Sequence, residues 1–147
     1  MQKRGFSLIE LLIVMSIIGV MAAFAFPKMK DAMIHEDTRA ARREVATQLM
    51  RARAAAAQRG CRATVHFDAA NTRVWVTACK VTGTGLDTLG PFSRLGVKYS
   101  VTMTSTADSL PFAANSMGMG TGTITMAFTR SGYTSSLRIT AIGRAVW

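Results

Sequence analysis

Acidic residues, cysteine, histidine and proline are all scarce in this chain. Eight Asp and Glu face 18 Lys and Arg, a formal net charge of +10 over 147 residues. His35 and His66 are far apart in sequence and suggest no ligand pair. Cys61 and Cys79, the two cysteines present, make a poor zinc site without companion ligands. No nucleophile and base, no phosphate-cradling glycine loop and no paired acids can be picked out. These absences argue against an enzyme, a metal site and a bound cofactor. Met117-Gly118-Met119-Gly120 offers two soft sulfurs but no Cys or His beside them, and it reads as flexible loop filler. The basic excess suits an anionic partner, whether nucleic acid, a membrane surface or an acidic protein face, although arginines also crowd ordinary solvated helix faces.

What the chain has in abundance is a long apolar start. Residues 6–26 are interrupted only by Ser7, Ser16 and one charge, Glu10, with Lys3 and Arg4 just ahead of Gly5. As a helix this run is roughly 31 Å long, enough to cross a hydrocarbon core, with the basic flank expected on the cytoplasmic side. A carboxylate near the middle of such a helix costs about 2.5–3.5 kcal/mol and calls for a partner. Cleavage between Gly5 and Phe6 would supply one. The new Phe6 amine is a cation, and Glu10 of one copy could neutralise it on the next. A secretory signal peptide cut after Ala23-Phe24-Ala25 competes poorly, because the run exceeds a 7–15-residue apolar region and holds Glu10. A plain anchor leaves Glu10 without a purpose.

The stretch Lys3-Arg4-Gly5-Phe6-Ser7-Leu8-Ile9-Glu10-Leu11-Leu12-Ile13-Val14 resembles the processing site of type IV pilins and type II secretion pseudopilins. The resemblance implies a leader of residues 1–5 removed by a prepilin peptidase after Gly5. It also implies N-methylation of Phe6, Glu10 as the filament-assembly carboxylate, and a helix kink at Pro27. The fold it implies is α+β and pilin-like, a long N-terminal helix on an antiparallel β domain. Implied partners are other pilin or pseudopilin subunits, the peptidase and inner-membrane lipid, with the β domain periplasmic before assembly.

The residues beyond support that layout independently. Residues 27–59 continue as an amphipathic helix, with Ala41, Val45, Leu49, Ala52 and Ala56 on one face and Gly60 as its stop. Residues 60–147 read as an antiparallel sheet. Strands at 63–67 and 72–78 flank a turn at 68–71, with a three-residue loop pairing Phe67 with Arg73 and Val65 with Trp75. That register sets Cys61 opposite Cys79, about 4.5 Å apart between Cα atoms, and predicts a disulfide. An exported β domain favours the same bond. Residues 80–96 read as loop. Val97, Tyr99, Val101 and Met103 alternate as a strand, and residues 105–122 are irregular, with Leu110-Pro111-Phe112 as a short apolar anchor. Ile124, Met126 and Phe128, then Leu137, Ile139 and Ala141, form a last hairpin broken at Gly132.

The tail, Leu137 to Gly143-Arg144-Ala145-Val146, resembles the minor pilin and minor pseudopilin branch that includes secretion protein H and FimT. That resemblance implies a structural subunit that primes or caps a filament. The alternative it carries is a DNA-binding minor pilin for DNA uptake, through a Gly-Arg-x-Arg tail. Here Val146 stands where the second arginine would be. Arg138 and Arg144, joined by Arg130 or Lys98, remain the candidate DNA-binding residues through phosphate contacts.

Overall fold

The computed structural model describes residues 7–115 and 117–147; Gly5 and Phe6 lie outside them. Helix α1, Leu8–Arg59, begins where the Leu11 N–H donates to the Ser7 carbonyl. The chain divides into two compact units, one ending at Ile34 and one spanning His35–Trp147. In the first, the helix leaves its large apolar side chains from Leu8 to Met33 exposed. Pro27 lies within the helix and lacks the N–H that would bond the preceding turn.

In the second unit the expected stripe is the buried one. Ala41, Val45, Leu49, Ala52 and Ala56 are buried, together with Thr38, Gln48 and Ala55. Small side chains let the helix axis come close to what it packs on, and Gly60 ends the helix with φ +62. What it packs on is two sheets rather than one. The strands are β1 (Ala63–Asp68), β2 (Arg73–Cys79), β3 (Leu86–Thr88) and β4 (Ser93–Arg94), then β5 (Thr102–Ser105) after a short helix α2 (Leu95–Tyr99). They continue with β6 (Ser109–Phe112), β7 (Ile124–Arg130), β8 (Tyr133–Ile139) and β9 (Ala145–Val146). One antiparallel sheet runs β3-β2-β1-β6, with β4 also on β2, and the other runs β5-β7-β8-β9. A single core joins the helix stripe to both sheets, with Phe112, Phe128, Leu110, Met126, Leu137 and Ile139 fully buried.

The first hairpin differs from its sequence reading by one residue. Asp68 pairs with Arg73, so residues 69–72 make a four-residue turn. Asp68 holds it, accepting from the Asn71 backbone N–H at 3.0 Å and the Asn71 side-chain amide at 2.8 Å, while Thr72 takes φ 50. A slip of one residue reverses every face. Val65 therefore meets Val76, and Val74, Val76 and Ala78 are buried. Trp75 lies on the other face, its ring stacked 5.0 Å from His66. Cys61 and Cys79 are bonded all the same, with Cα atoms 6.3 Å apart. Cys61 precedes β1, so the bridge closes the hairpin just beyond its ladder rather than across an opposed pair.

Three further readings change. Val97 and Tyr99 are helical rather than extended, because the Leu95 and Gly96 N–H groups both donate to the Thr72 carbonyl and wind the chain there. Ser100, with φ 51, stops that turn, and only then does β5 start. Leu110-Pro111-Phe112 belongs to β6, an edge strand, where a proline without an N–H is tolerated. The Met-Gly repeat is not filler. Met119 donates to Pro111 at 2.8 Å, while Gly118 and Gly120 donate to Ile142 and Ala141, both at 3.1 Å. Residues 117–120 thus tie the edge of one sheet to the end of the other. A Cβ on Gly118 would sit 2.6 Å from the Gly143 nitrogen, so only glycine fits.

A polar chain ties the 89–99 segment to the helix. The buried Gln48 donates to Ser93 at 3.0 Å, Ser93 donates to Glu44 at 2.8 Å, and Lys98 reaches Glu44 at 3.3 Å. The Ser93 hydrogen bond, helped by Lys98 against the opposing effect of burial, holds the Glu44 carboxyl below its ordinary value. A depressed carboxylate stabilises the fold above its unfolded value of 4.5, and the contribution fades as pH falls through the folded value.

Urea unfolding of the His35–Trp147 unit checks these assignments. Leu137→Ala is expected to cost about 2–5 kcal/mol and Gly118→Ala about 1–3 kcal/mol, by cavity and by overpacking. Breaking the disulfide with Cys61→Ser and Cys79→Ser is expected to cost about 3 kcal/mol. Glu44→Gln should lower stability at neutral pH, with the gap to the parent closing as pH falls below 4.5 and through the depressed folded value.

Candidate functional site

Two regions carry the sequence-derived candidates. The first is the exposed part of α1. Glu10 stands in the first helical turn, where the positive end of the helix macrodipole favours a carboxylate. This placement, rather than the middle of the span, lowers the cost of its charge. Around it Leu8, Ile9, Leu11, Leu12, Ile13 and Val14 are all exposed. Ser16 spends its hydroxyl on the Ile13 carbonyl at 2.7 Å, which removes a polar group from the helix surface. An 18-residue stretch has mean hydropathy 2.5 with none of it buried, long and apolar enough to cross a membrane. Chemically this is an apolar rod bearing one carboxylate.

The second region is the tail. After β8 the chain turns at residues 140–144. Gly143 donates to the Thr140 carbonyl at 2.7 Å, and Thr140 donates to the Arg144 carbonyl at 2.9 Å. Gly143 is required twice over, by φ +81 and by the Phe112 ring, whose Cζ an added Cβ would approach to 2.7 Å. Arg144 is presented outward by that turn. Arg138 is exposed one strand away, opposite Val146.

The two other basic residues do not join them. Arg130 is ion-paired with Asp37 and donates to the Tyr99 carbonyl at 3.2 Å. Lys98 is held by Tyr99 and Glu44, which raise its pKa, in that order. In their place the structure brings Arg42 and Arg53 of α1 to the tail, residues the sequence reading left on the general helix surface. Arg42 lies 5.1 Å over the Trp147 ring and donates to Ser136. Arg53 donates to Ile142 and lies 5.7 Å over Phe112. The signal was their place at the margin of the Ala41–Ala56 stripe, but nothing local said which strand would arrive there.

The histidines are occupied separately. His35 lies against Tyr133, with ring centroids 3.8 Å apart. His66 faces Thr77 at 2.9 Å, and burial lowers its pKa. Among the described residues no three His, Cys, Asp or Glu side chains gather as metal ligands.

Comparison with known proteins bears on the first region and on the fold. Residues 1–26 match the prokaryotic N-terminal methylation motif. The fold is similar to that of the type IV minor pilin FimU of Pseudomonas aeruginosa (strain PAO1) in two crystal forms. In one, the TM-score is 0.60 at 18% identity over 76% of this chain and 88% of that one. In the other it is 0.56 at 17% identity, over 74% and 90%. No curated protein matches the sequence. The chain thus carries a prokaryotic N-terminal methylation motif on a fold similar to that of a type IV minor pilin.

Proposed function

We propose that this chain is a minor pilin or pseudopilin, a structural subunit that primes or caps a type IV pilus or a type II secretion pseudopilus. The observation that carries the reading is the exposed apolar half of α1, most of which lies within the residues that match the methylation motif, with its one carboxylate. A surface of that kind needs lipid or other helices around it. A prepilin peptidase cuts after Gly5, and the Phe6 amine is methylated. Glu10 then meets the Phe6 amine of a neighbouring subunit, which removes two isolated charges from an apolar setting and sets the axial stagger. Before cleavage the helix sits in the inner membrane with Lys3 and Arg4 cytoplasmic and the His35–Trp147 unit periplasmic. Pro27 lets the helix bend where it leaves the span.

The second reading, a DNA-binding subunit for DNA uptake, is favoured by the exposure of Arg138 and Arg144, neither of which has a carboxylate partner among the described residues. Val146 in place of an arginine and the commitment of Arg130 and Lys98 to acids weigh against it.

In a host with the assembly machinery, Glu10→Ala is expected to leave leader removal intact while incorporation into filaments falls at least tenfold; normal incorporation would defeat the charge-pairing account. Gly5→Leu should abolish processing, read as retention of the leader mass. Duplex DNA titrated against the His35–Trp147 unit should show no salt-sensitive affinity. Binding that weakens steeply with salt and is lost in Arg138→Gln and Arg144→Gln would replace the structural reading with the DNA one.

A further inference from the structure

Between α1 and the tail lies a groove of about 170 Å³ lined by Ala46, Leu49, Met50, Arg53, Arg144 and Trp147, with Gly143 and Ala145 completing it. Its lining is mainly apolar, yet guanidinium groups stand along it. Arg53 and Arg144 border it, and Arg42 lies over Trp147, which also borders a second hollow of about 280 Å³. Among the described residues, none of Arg42, Arg53 and Arg144 has a carboxylate within 4.0 Å, whereas five other basic residues do. The Nε atoms of Arg42 and Arg53 are buried without an acceptor. Trp147 and Met50 are 66% and 67% exposed, large apolar groups left on the rim.

We propose that this groove is a docking site for an extended acidic segment of a different protein chain, which places one apolar side chain on the Leu49 and Ala46 floor and sets carboxylates against the arginines. The planar guanidinium fork matches a carboxylate bidentately, and such pairs are strongest where partly desolvated. Trp147 and the arginines are the residue types that dominate binding energy at interfaces. The volume suits one side chain and no more. Nucleic-acid phosphates would meet the same guanidinium groups, so DNA is the occupant the test must separate from an acidic chain.

A second copy of this chain is a poor occupant. Of its eight acids, Glu36, Asp37, Glu44, Asp68 and Asp87 are already in ion pairs, and Glu10 and Asp31 belong to the first unit. That leaves Asp108, and two copies carry the same excess of positive charge. The complementary charge must come from elsewhere. This inference does not depend on the filament reading.

The test uses the disulfide-bonded His35–Trp147 unit, which has its own core, and a synthetic peptide of alternating Asp and Leu. Its Asn/Leu counterpart and single- and double-stranded DNA serve as comparisons. Binding is read from the Trp147 indole and arginine Nε–H signals in nitrogen–proton NMR spectra. The Asp/Leu peptide should shift these signals, and its affinity should fall at least tenfold in Arg53→Gln and in the Asn/Leu peptide. Arg144→Gln, an exposed change that spares the core, should weaken it at least threefold, and Arg138→Gln should leave it unchanged. No shift at millimolar peptide, equal binding of the uncharged peptide, or indifference to Arg144→Gln would overturn the proposal. Displacement of the peptide by DNA acting through the same arginines would overturn it equally and name the other class of partner.

Discussion

The contact on which the rest of this protein depends is that of a narrow stripe of small residues with two sheets. From Ala41 to Ala56, α1 presents alanine, valine and leucine at helical spacing, all buried. Helices and sheets each have one apolar face to hide, and the stable solution is to layer them. Alanine matters because it lets the backbones approach, so that the large side chains of the core come from the strands. Phe112 and Leu110 reach it from one sheet, and Phe128, Met126, Leu137 and Ile139 from the other. The helix serves as the common floor on which two otherwise separate sheets become one core.

Joining two sheets on one helix leaves a seam between them, and short-range devices close it. Residues 117–120 bond to both sides, which requires glycine where backbones approach each other. The Arg130–Asp37 pair ties β7 to the helix, and the chain from Gln48 through Ser93 to Glu44 holds the 89–99 segment down. Each such pair is worth little when exposed, and partial burial raises the cost of removing one partner. At the end of the chain, Gly143 folds the tail back over Phe112. The same turn delivers Arg144 and Trp147 beside Arg42 and Arg53.

The first unit obeys the opposite rule. From Leu8 to Met33 the large apolar side chains of the helix are exposed among the described residues. Exposed apolar surface on that scale is stable only against lipid or against other helices. A single polypeptide therefore contains one part whose burial is complete within itself and another whose burial depends on its surroundings. The one carboxylate in the apolar part stands at the helix N-terminus, where the backbone dipole favours it before any partner arrives.

The sequence by itself determined the elements governed by local periodicity and covalent logic. The apolar span, the Ala41–Ala56 face, the Gly60 stop and the 124–139 hairpin were legible because a helix or a tight hairpin repeats with a fixed period. The Cys61–Cys79 bond was legible from two cysteines at the base of one hairpin, although the register that set them opposite was one residue off. The tertiary structure alone decided the rest. The first hairpin's register turned on Asp68 capturing Asn71, which lengthened a turn by one residue and moved Trp75 off the core. Val97 and Tyr99 alternate like a strand, but the Thr72 carbonyl wound them into a helix. That Arg130 and Lys98 would meet Asp37 and Glu44, while Arg42 and Arg53 would meet the tail, depended on contacts between residues dozens of positions apart. Ion pairs of that kind leave no period in a sequence, so charge could be counted in advance but not placed.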